Sequence, residues 1–305
     1  MSGLSSESSD SLSSAVGLEG TGAPFRSPSL YQLVIAVLAT SIRSFTDVRF
    51  HGLSRIPRKG PVIVVCNHVS NLDPIFMVQA ARRPIHFLSK KENFESPLKR
   101  FVMTSTGQIE TYRQTGARDA LARAVDVLDA GLALGIFPEG TRSRKLEPPY
   151  LQRGKTGIAR LAARFPDVPI VTMVMIGTQD MMRPGSKMFR PWKKVDVIID
   201  EPITFGEWVT SEKGGRISDD NIGRLCESQD EMSTMYRRFT DQLIETMRLM
   251  GAPWWNLSRI LDGLPAQSTV GLCSNISISC VAFSLKASKR VIVLELVQSR
   301  FSGIR

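Results

Sequence analysis

The chain has 305 residues, 42% of them hydrophobic and 22% charged, enough apolar content for one large α/β domain or two small ones. Its net charge of +10 suits an anionic partner, whether nucleic acid, anionic lipid headgroups or a phosphorylated substrate. Cys66, Cys226, Cys273 and Cys280 include no C-x-x-C pair, so neither a zinc centre nor a redox motif is indicated.

Residues 1–29 are Ser- and Gly-rich with few apolar anchors, and the expectation there is a disordered tail. They lack the apolar core of a secretory signal, which leaves a reducing cytosolic setting as the default. From Ser27 to Ile42 the run SPSLYQLVIAVLATSI is uncharged, between Arg26 and Arg43. It is shorter than the about 20 residues a membrane-spanning helix takes. Two readings fit it: a helix lying in the bilayer interface, or a buried amphipathic helix of the domain.

DVRFHGL reads as a strand and IPRKGP as a loop. VIVVC, 62–66, is a continuous β-branched run, as expected for a strand covered on both faces. Pro74 opens a helix through about Ala81, and IHFLS follows as a strand. In ARDALARAVDVLDAG, Leu121, Val125 and Leu128 recur at helical spacing and Gly131 stops the helix. LALGIF is another buried strand, TGIARLAARF another amphipathic helix, and PIVTMVMIG and KVDVIID further strands. This alternation through most of 47–200 predicts an α/β fold with a mostly parallel mixed sheet flanked by helices. Residues 226–250 form one long amphipathic helix, ended by Gly251 and Pro253. Residues 251–305 are β-prone in places but point to no chemistry, and stay an unassigned tail.

Two stretches carry chemistry. In NHVSNLDP, 67–74, His68 and Asp73 are five apart. On one helix they would point about 140° apart, and on one strand to opposite faces. A turn at Asn71, followed by a helix capped by Asp73 with Pro74 at its first position, would bring the carboxylate back to the imidazole. A carboxylate on one ring nitrogen leaves the other free to take a proton from a hydroxyl. The alternative is that Asp73 only caps the helix and His68 only ends the strand. A Cys66–His68 nucleophile pair is a weaker reading, because a Cys within a β-branched run reads as core. In IFPEGTRSR, 136–144, a buried strand runs into a turn, placing Glu139, Thr141, Arg142 and Arg144 at its carboxyl end, where open α/β sheets bind ligands. Arg142 suits a phosphate; a solvated loop with a Glu–Arg pair is the bland alternative. GKT at 154–156 ends like a P-loop, but Pro149 stands where that motif needs Gly. Arg142, Arg144, Lys145, Arg153 and Lys155 still form a segment suited to a polyanion. Nucleic acid is disfavoured, because no aromatic interleaves the basic residues 142–145.

Together these stretches resemble the glycerolipid acyltransferases, the group containing 1-acyl-sn-glycerol-3-phosphate acyltransferases. NHVSNLDP resembles the family's N-H-x-x-x-x-D block, FPEGTRS its second hallmark, GQIETYR at 107–113 the block between them, and VPIVTMVMIG at 168–177 the fourth, with Thr172 where a proline is common. The resemblance spans roughly residues 30–205. It implies His68 as general base and Asp73 as its orienter. It implies that Arg113, Glu139, Gly140, Thr141 and Arg142 bind the substrate. The implied reaction moves a fatty acyl group from a thioester, acyl-CoA or acyl-acyl-carrier protein, to the sn-2 hydroxyl of lysophosphatidic acid, giving phosphatidic acid in phospholipid biosynthesis. Glycerol 3-phosphate or another lysophospholipid is the alternative acceptor, and a non-catalytic lipid-binding homologue the alternative class. Neither metal nor cofactor is implied. The family's membrane association favours the interfacial reading of residues 27–45, as part of a domain over 30–250. The expected location is the cell membrane, peripheral or monotopic on its cytoplasmic face.

Overall fold

The structure, a computed structural model, describes residues 3–252 apart from 112–115, 146–149, 184–185 and 187. The helices are α1 Ser6–Ala15, α2 Leu30–Phe45, α3 Asp73–Ala81, α4 Pro97–Ser105, α5 Gly116–Asp129, α6 Gly157–Arg164, α7 Thr178–Met181, α8 Phe205–Thr210, α9 Asp219–Glu227 and α10 Gln229–Leu249. The strands are β1 Val48–His51, β2 Val62–Cys66, β3 Ile85–Lys90, β4 Ile109–Thr111, β5 Ala133–Ile136, β6 Ile170–Ile176 and β7 Val195–Ile199.

Alternation along β2 explains the layering. Val62, Val64 and Cys66 enter one buried cluster with the β-face of α3 and the inner side of α2, while Ile63 and Val65 enter the other with α5, α6, α8, α9 and α10. Both faces are therefore covered, as the unbroken β-branched run requires. Among the described residues the strands pair in the order β1-β7-β6-β2-β5-β3-β4. Every pairing is parallel except β6 with β7. The carboxyl ends of β2, β3, β5 and β6 share one edge, and β1 and β7 begin at that same edge. The expectation of a mostly parallel mixed sheet flanked by helices holds.

The amino-terminal segment departs from the expected disordered tail. Residues Ser6–Ala15 form a helix, with the Ser5 hydroxyl accepting from the Ser8 N–H. Leu12, Val16 and Leu18 are buried in the cluster with α6 and α9. The serines supply tertiary bonds as well: Ser5 donates to Asp219 through both N–H and hydroxyl, and Ser13 donates to the Arg164 carbonyl at 2.8 Å. Three apolar anchors and these polar ties outweigh the ordering cost that the composition alone suggested.

The expected helix at 27–45 is α2, and it divides its two faces. Tyr31 and Ile35 are buried against the sheet and α3, and the Tyr31 hydroxyl donates to the Ile85 carbonyl at 2.7 Å. Leu30, Leu33 and Val37 stay exposed on the other face. No helix among the described residues is long and apolar enough to cross a membrane. The long helix expected at 226–250 begins instead at Gln229, because Ser228 caps it by accepting from the Glu231 N–H, and Cys226 belongs to α9. The tail expected from 251 lies outside the described residues beyond 252.

Candidate active site

β2 ends at Cys66, and the chain turns sharply into α3. His68 stands at the start of that turn. Its Nδ1 lies 2.9 Å from Oδ2 of Asp73, and the same oxygen accepts the N–H groups of Val69 at 2.8 Å and Ser70 at 2.7 Å. An ionised carboxylate offers only lone pairs, so Nδ1 carries the proton and Nε2 keeps its lone pair. Of the readings open for this stretch, the paired one is realised. One detail differs: Leu72 occupies the N-cap, and Asp73 begins the helix with its carboxylate turned back to the loop. Three donors on the loop side outcompete the helix N–H groups that a cap would serve.

The imidazole is held from its face too. It stacks on Phe137 with ring centroids 4.0 Å apart and an interplanar angle of 19°. Asn67 staples the strand end, since its amide donates to the Met175 carbonyl at 3.1 Å and accepts the Met175 N–H at 2.8 Å. Cys66 is buried, and burial, then the charges of Asp73 and Glu139, push its thiol well above the ordinary value. A thiol so disfavoured as thiolate is no nucleophile.

The second loop follows β5, the neighbour of β2. Glu139 joins the two loops: Oε1 accepts the His68 N–H at 2.7 Å and Oε2 accepts the Gln152 N–H at 2.9 Å. The Ser143 N–H donates to the His68 carbonyl at 2.9 Å. Burial raises the Glu139 carboxyl to about 7, against the lowering effect of those two N–H groups; the charge of Asp73 adds to the rise. Glu139, expected to contact the substrate, is buried and gives one oxygen to each of these backbone N–H groups, so it ties the His68 turn to the second loop.

Gly140 adopts φ 70°, the left-handed region, and a Cβ there would press on the Lys155 side chain. That close approach brings the Lys155 ammonium beside Gly140. Lys90, at the end of β3, donates to the Thr141 hydroxyl at 3.4 Å. Arg142 donates through Nη1 to the Asn71 carboxamide oxygen, three residues from His68. Lys90, Arg142 and Lys155 thus surround 140–142 with positive charge. The structure brings together His68, Asp73, Glu139, Gly140, Thr141 and Arg142; Arg113 lies outside the described residues. The sequence reading missed Asn67, Lys90 and Phe137. Asn67 and Phe137 each sit at a strand end in a recognised motif, a position that should have drawn them in.

A His–Asp pair with the lone pair of Nε2 available, beside a cationic loop at the carboxyl edge of a parallel sheet, is an arrangement that can take a proton from a hydroxyl near an anionic group. Residues 47–176 match the family model described as Acyltransferase. The chain is 31% identical over 166 residues to a chloroplastic 1-acyl-sn-glycerol-3-phosphate acyltransferase of Arabidopsis thaliana, covering 53% of this chain and 45% of that protein. A chloroplastic relative of the same description from Brassica napus is 30% identical over 198 residues, covering 63% of this chain and 54% of that protein. The chain therefore spans about half the length of the curated relatives it matches. A solved 1-acyl-sn-glycerophosphate (LPA) acyltransferase from Thermotoga maritima aligns at 22% identity with a TM-score of 0.49, over 72% of this chain and 81% of that one.

Proposed function

We propose that this chain transfers a fatty acyl group from a thioester to the sn-2 hydroxyl of 1-acylglycerol 3-phosphate. The observation that carries the reading is the 2.9 Å His68–Asp73 pair held by Glu139 against the cationic loop 140–142. The acceptor hydroxyl gives its proton to Nε2 of His68 as its oxygen bonds to the thioester carbon. The tetrahedral intermediate then collapses, the carbon–sulfur bond breaks, and the proton passes from Nε2 to the leaving sulfur. Asp73 keeps the imidazole in the required tautomer and offsets the charge it gains. Lys90, Arg142 and Lys155 offer the acceptor phosphate charge-assisted bonds. No covalent enzyme intermediate is needed. Acyl-CoA and acyl-acyl-carrier protein both fit as donors.

The exposed apolar face of α2 supports an interfacial seat on a membrane. The acceptor's acyl chain stays in the bilayer while the donor arrives from water, so the site works best at their boundary. The test is to give the purified protein labelled acyl-CoA or labelled acyl-acyl-carrier protein with a panel of acceptors, and to identify the product. Phosphatidic acid from lysophosphatidic acid is expected. Labelled lysophosphatidic acid made from glycerol 3-phosphate, with lysophosphatidic acid left unused, would assign the other acceptor.

A further inference from the structure

The connection between β6 and β7 carries groups for which acyl transfer has no use. Met188, Phe189 and Trp192 are 59%, 42% and 68% exposed. Arg190, Lys193 and Lys194 alternate with them. The segment is a formed structure: the Arg190 N–H donates to the Met181 carbonyl at 2.9 Å and the Lys193 N–H to the Arg190 carbonyl at 3.1 Å. Phe45, at the end of α2, is 75% exposed. Register places it beside the connection. Val48 pairs with Val195, and the Val195 N–H donates to the Asp47 carbonyl at 2.9 Å. Phe45, the last residue of α2, and Trp192, in the turn before β7, each precede that pair by three residues. The same edge holds His68, since Asp196 pairs with Ile176 at the end of β6 and the Ser70 hydroxyl donates to the Met182 carbonyl at 3.3 Å.

We propose that residues 188–194, with Phe45, form a second membrane-contacting element that seats in the interface of an anionic bilayer and holds the His68 edge of the sheet against it. The proposal rests on the interfacial reading of α2 and extends it to the site's own rim. Charge complementarity selects the occupant: Arg190, Lys193 and Lys194 meet anionic headgroups, while Trp192, Phe189 and Met188 reach the acyl boundary between them. The nearby carboxylate of Asp47 faces Arg49 at 3.8 Å, which leaves the loop's field positive.

The test uses the full chain and vesicles of phosphatidylcholine with phosphatidylglycerol, read by flotation. Phe189→Ser with Trp192→Ser should lower partitioning about tenfold or more, as losing two interfacial anchors does. Lys193→Gln with Lys194→Gln should weaken binding to the anionic vesicles and leave pure phosphatidylcholine unaffected. Brominated acyl chains should quench the fluorescence that Trp192→Phe removes. Turnover of a short-chain, monomeric lysophosphatidic acid should stay at the wild-type level in both loop variants. Wild-type partitioning by the Phe189/Trp192 variant, or no Trp192-dependent quenching, overturns the proposal. It is overturned equally if Leu33→Ser with Val37→Ser removes binding and the loop variants do not, or if the loop variants bind vesicles normally but lose activity only with acyl-acyl-carrier protein, which would assign the surface to a protein. Vesicle binding with Trp192 quenching, but no acyl transfer to any acceptor, would sink the acyl-transfer reading and leave this proposal supported.

Discussion

Asp73 holds three donors on one oxygen, and two of them are backbone. Its loss would therefore combine a catalytic effect with a broken turn. Asp73→Asn separates the two, because the amide oxygen still accepts from Val69 and Ser70 but supplies no charge to the imidazolium. The expected result is a fall in kcat of about 10²- to 10⁴-fold with a near-normal melting temperature. Unchanged kcat would show that the 2.9 Å pair has no part in turnover. Arg142→Ala removes a cation beside 140–142, and a charge-assisted bond of this kind contributes about 1.5–3 kcal/mol. The acceptor KM should rise with the donor KM little changed; the opposite pattern would move the loop to the donor side. Glu139 gives a pH signature. Its carboxyl ionises at about 7 in the fold, above the ordinary 4.5. Between those values the folded chain holds a proton that the unfolded chain has released, so this group's contribution to stability falls as pH rises through that window. Below the window both states are protonated, and above it the cost of the buried charge is fully present. Glu139→Gln does not titrate. The wild-type melting temperature minus that of Glu139→Gln should therefore decrease from pH 4.5 to 7.5, and a constant difference would show a carboxylate ionised throughout.

At the scale of elements, β2, β5 and β6 were legible because burial on both faces leaves a largely unbroken apolar run, as in VIVVC, whereas the short β4 carried no such run. The helices α5 and α6 were legible because one apolar face repeats every three or four residues. α1 was not. Its apolar anchors, Leu12, Val16 and Leu18, are outnumbered by serines whose hydroxyls find partners only in the folded tertiary structure. Leu12→Ala should cost about 2–5 kcal/mol, the range for emptying a buried leucine site. A stability change near zero by denaturant titration would return residues 3–18 to the status of a loose tail. α8 is signalled in the sequence by T-x-x-E, since Thr204 and Glu207 form a capping box with bonds of 3.1 and 2.8 Å. α2 could not be decided from sequence because an apolar run alone does not say which face is covered. The structure covers Tyr31 and Ile35 and leaves Leu33 and Val37 open.

At the scale of the molecule, the site is assembled from two loops that a parallel sheet sets side by side through the pairing of β2 with β5. Both loops were visible in the sequence as motifs at strand ends, and the resemblance supplied the role of each. What joins them was not visible. Glu139 bridges 71 residues of chain to the His68 N–H, and no local pattern marks a carboxylate that accepts from distant backbone. The stacking of Phe137 on the imidazole has the same origin in sheet order rather than in spacing. The account therefore stands or falls on whether this assembly moves a proton at Nε2 of His68. The most direct measurement is the single-turnover rate of acyl transfer to lysophosphatidic acid by the wild type and by purified His68→Ala of matched melting temperature. The account predicts a fall of about 10²- to 10⁴-fold at saturating acceptor and donor. A folded His68→Ala that turns over at close to the wild-type rate would contradict it.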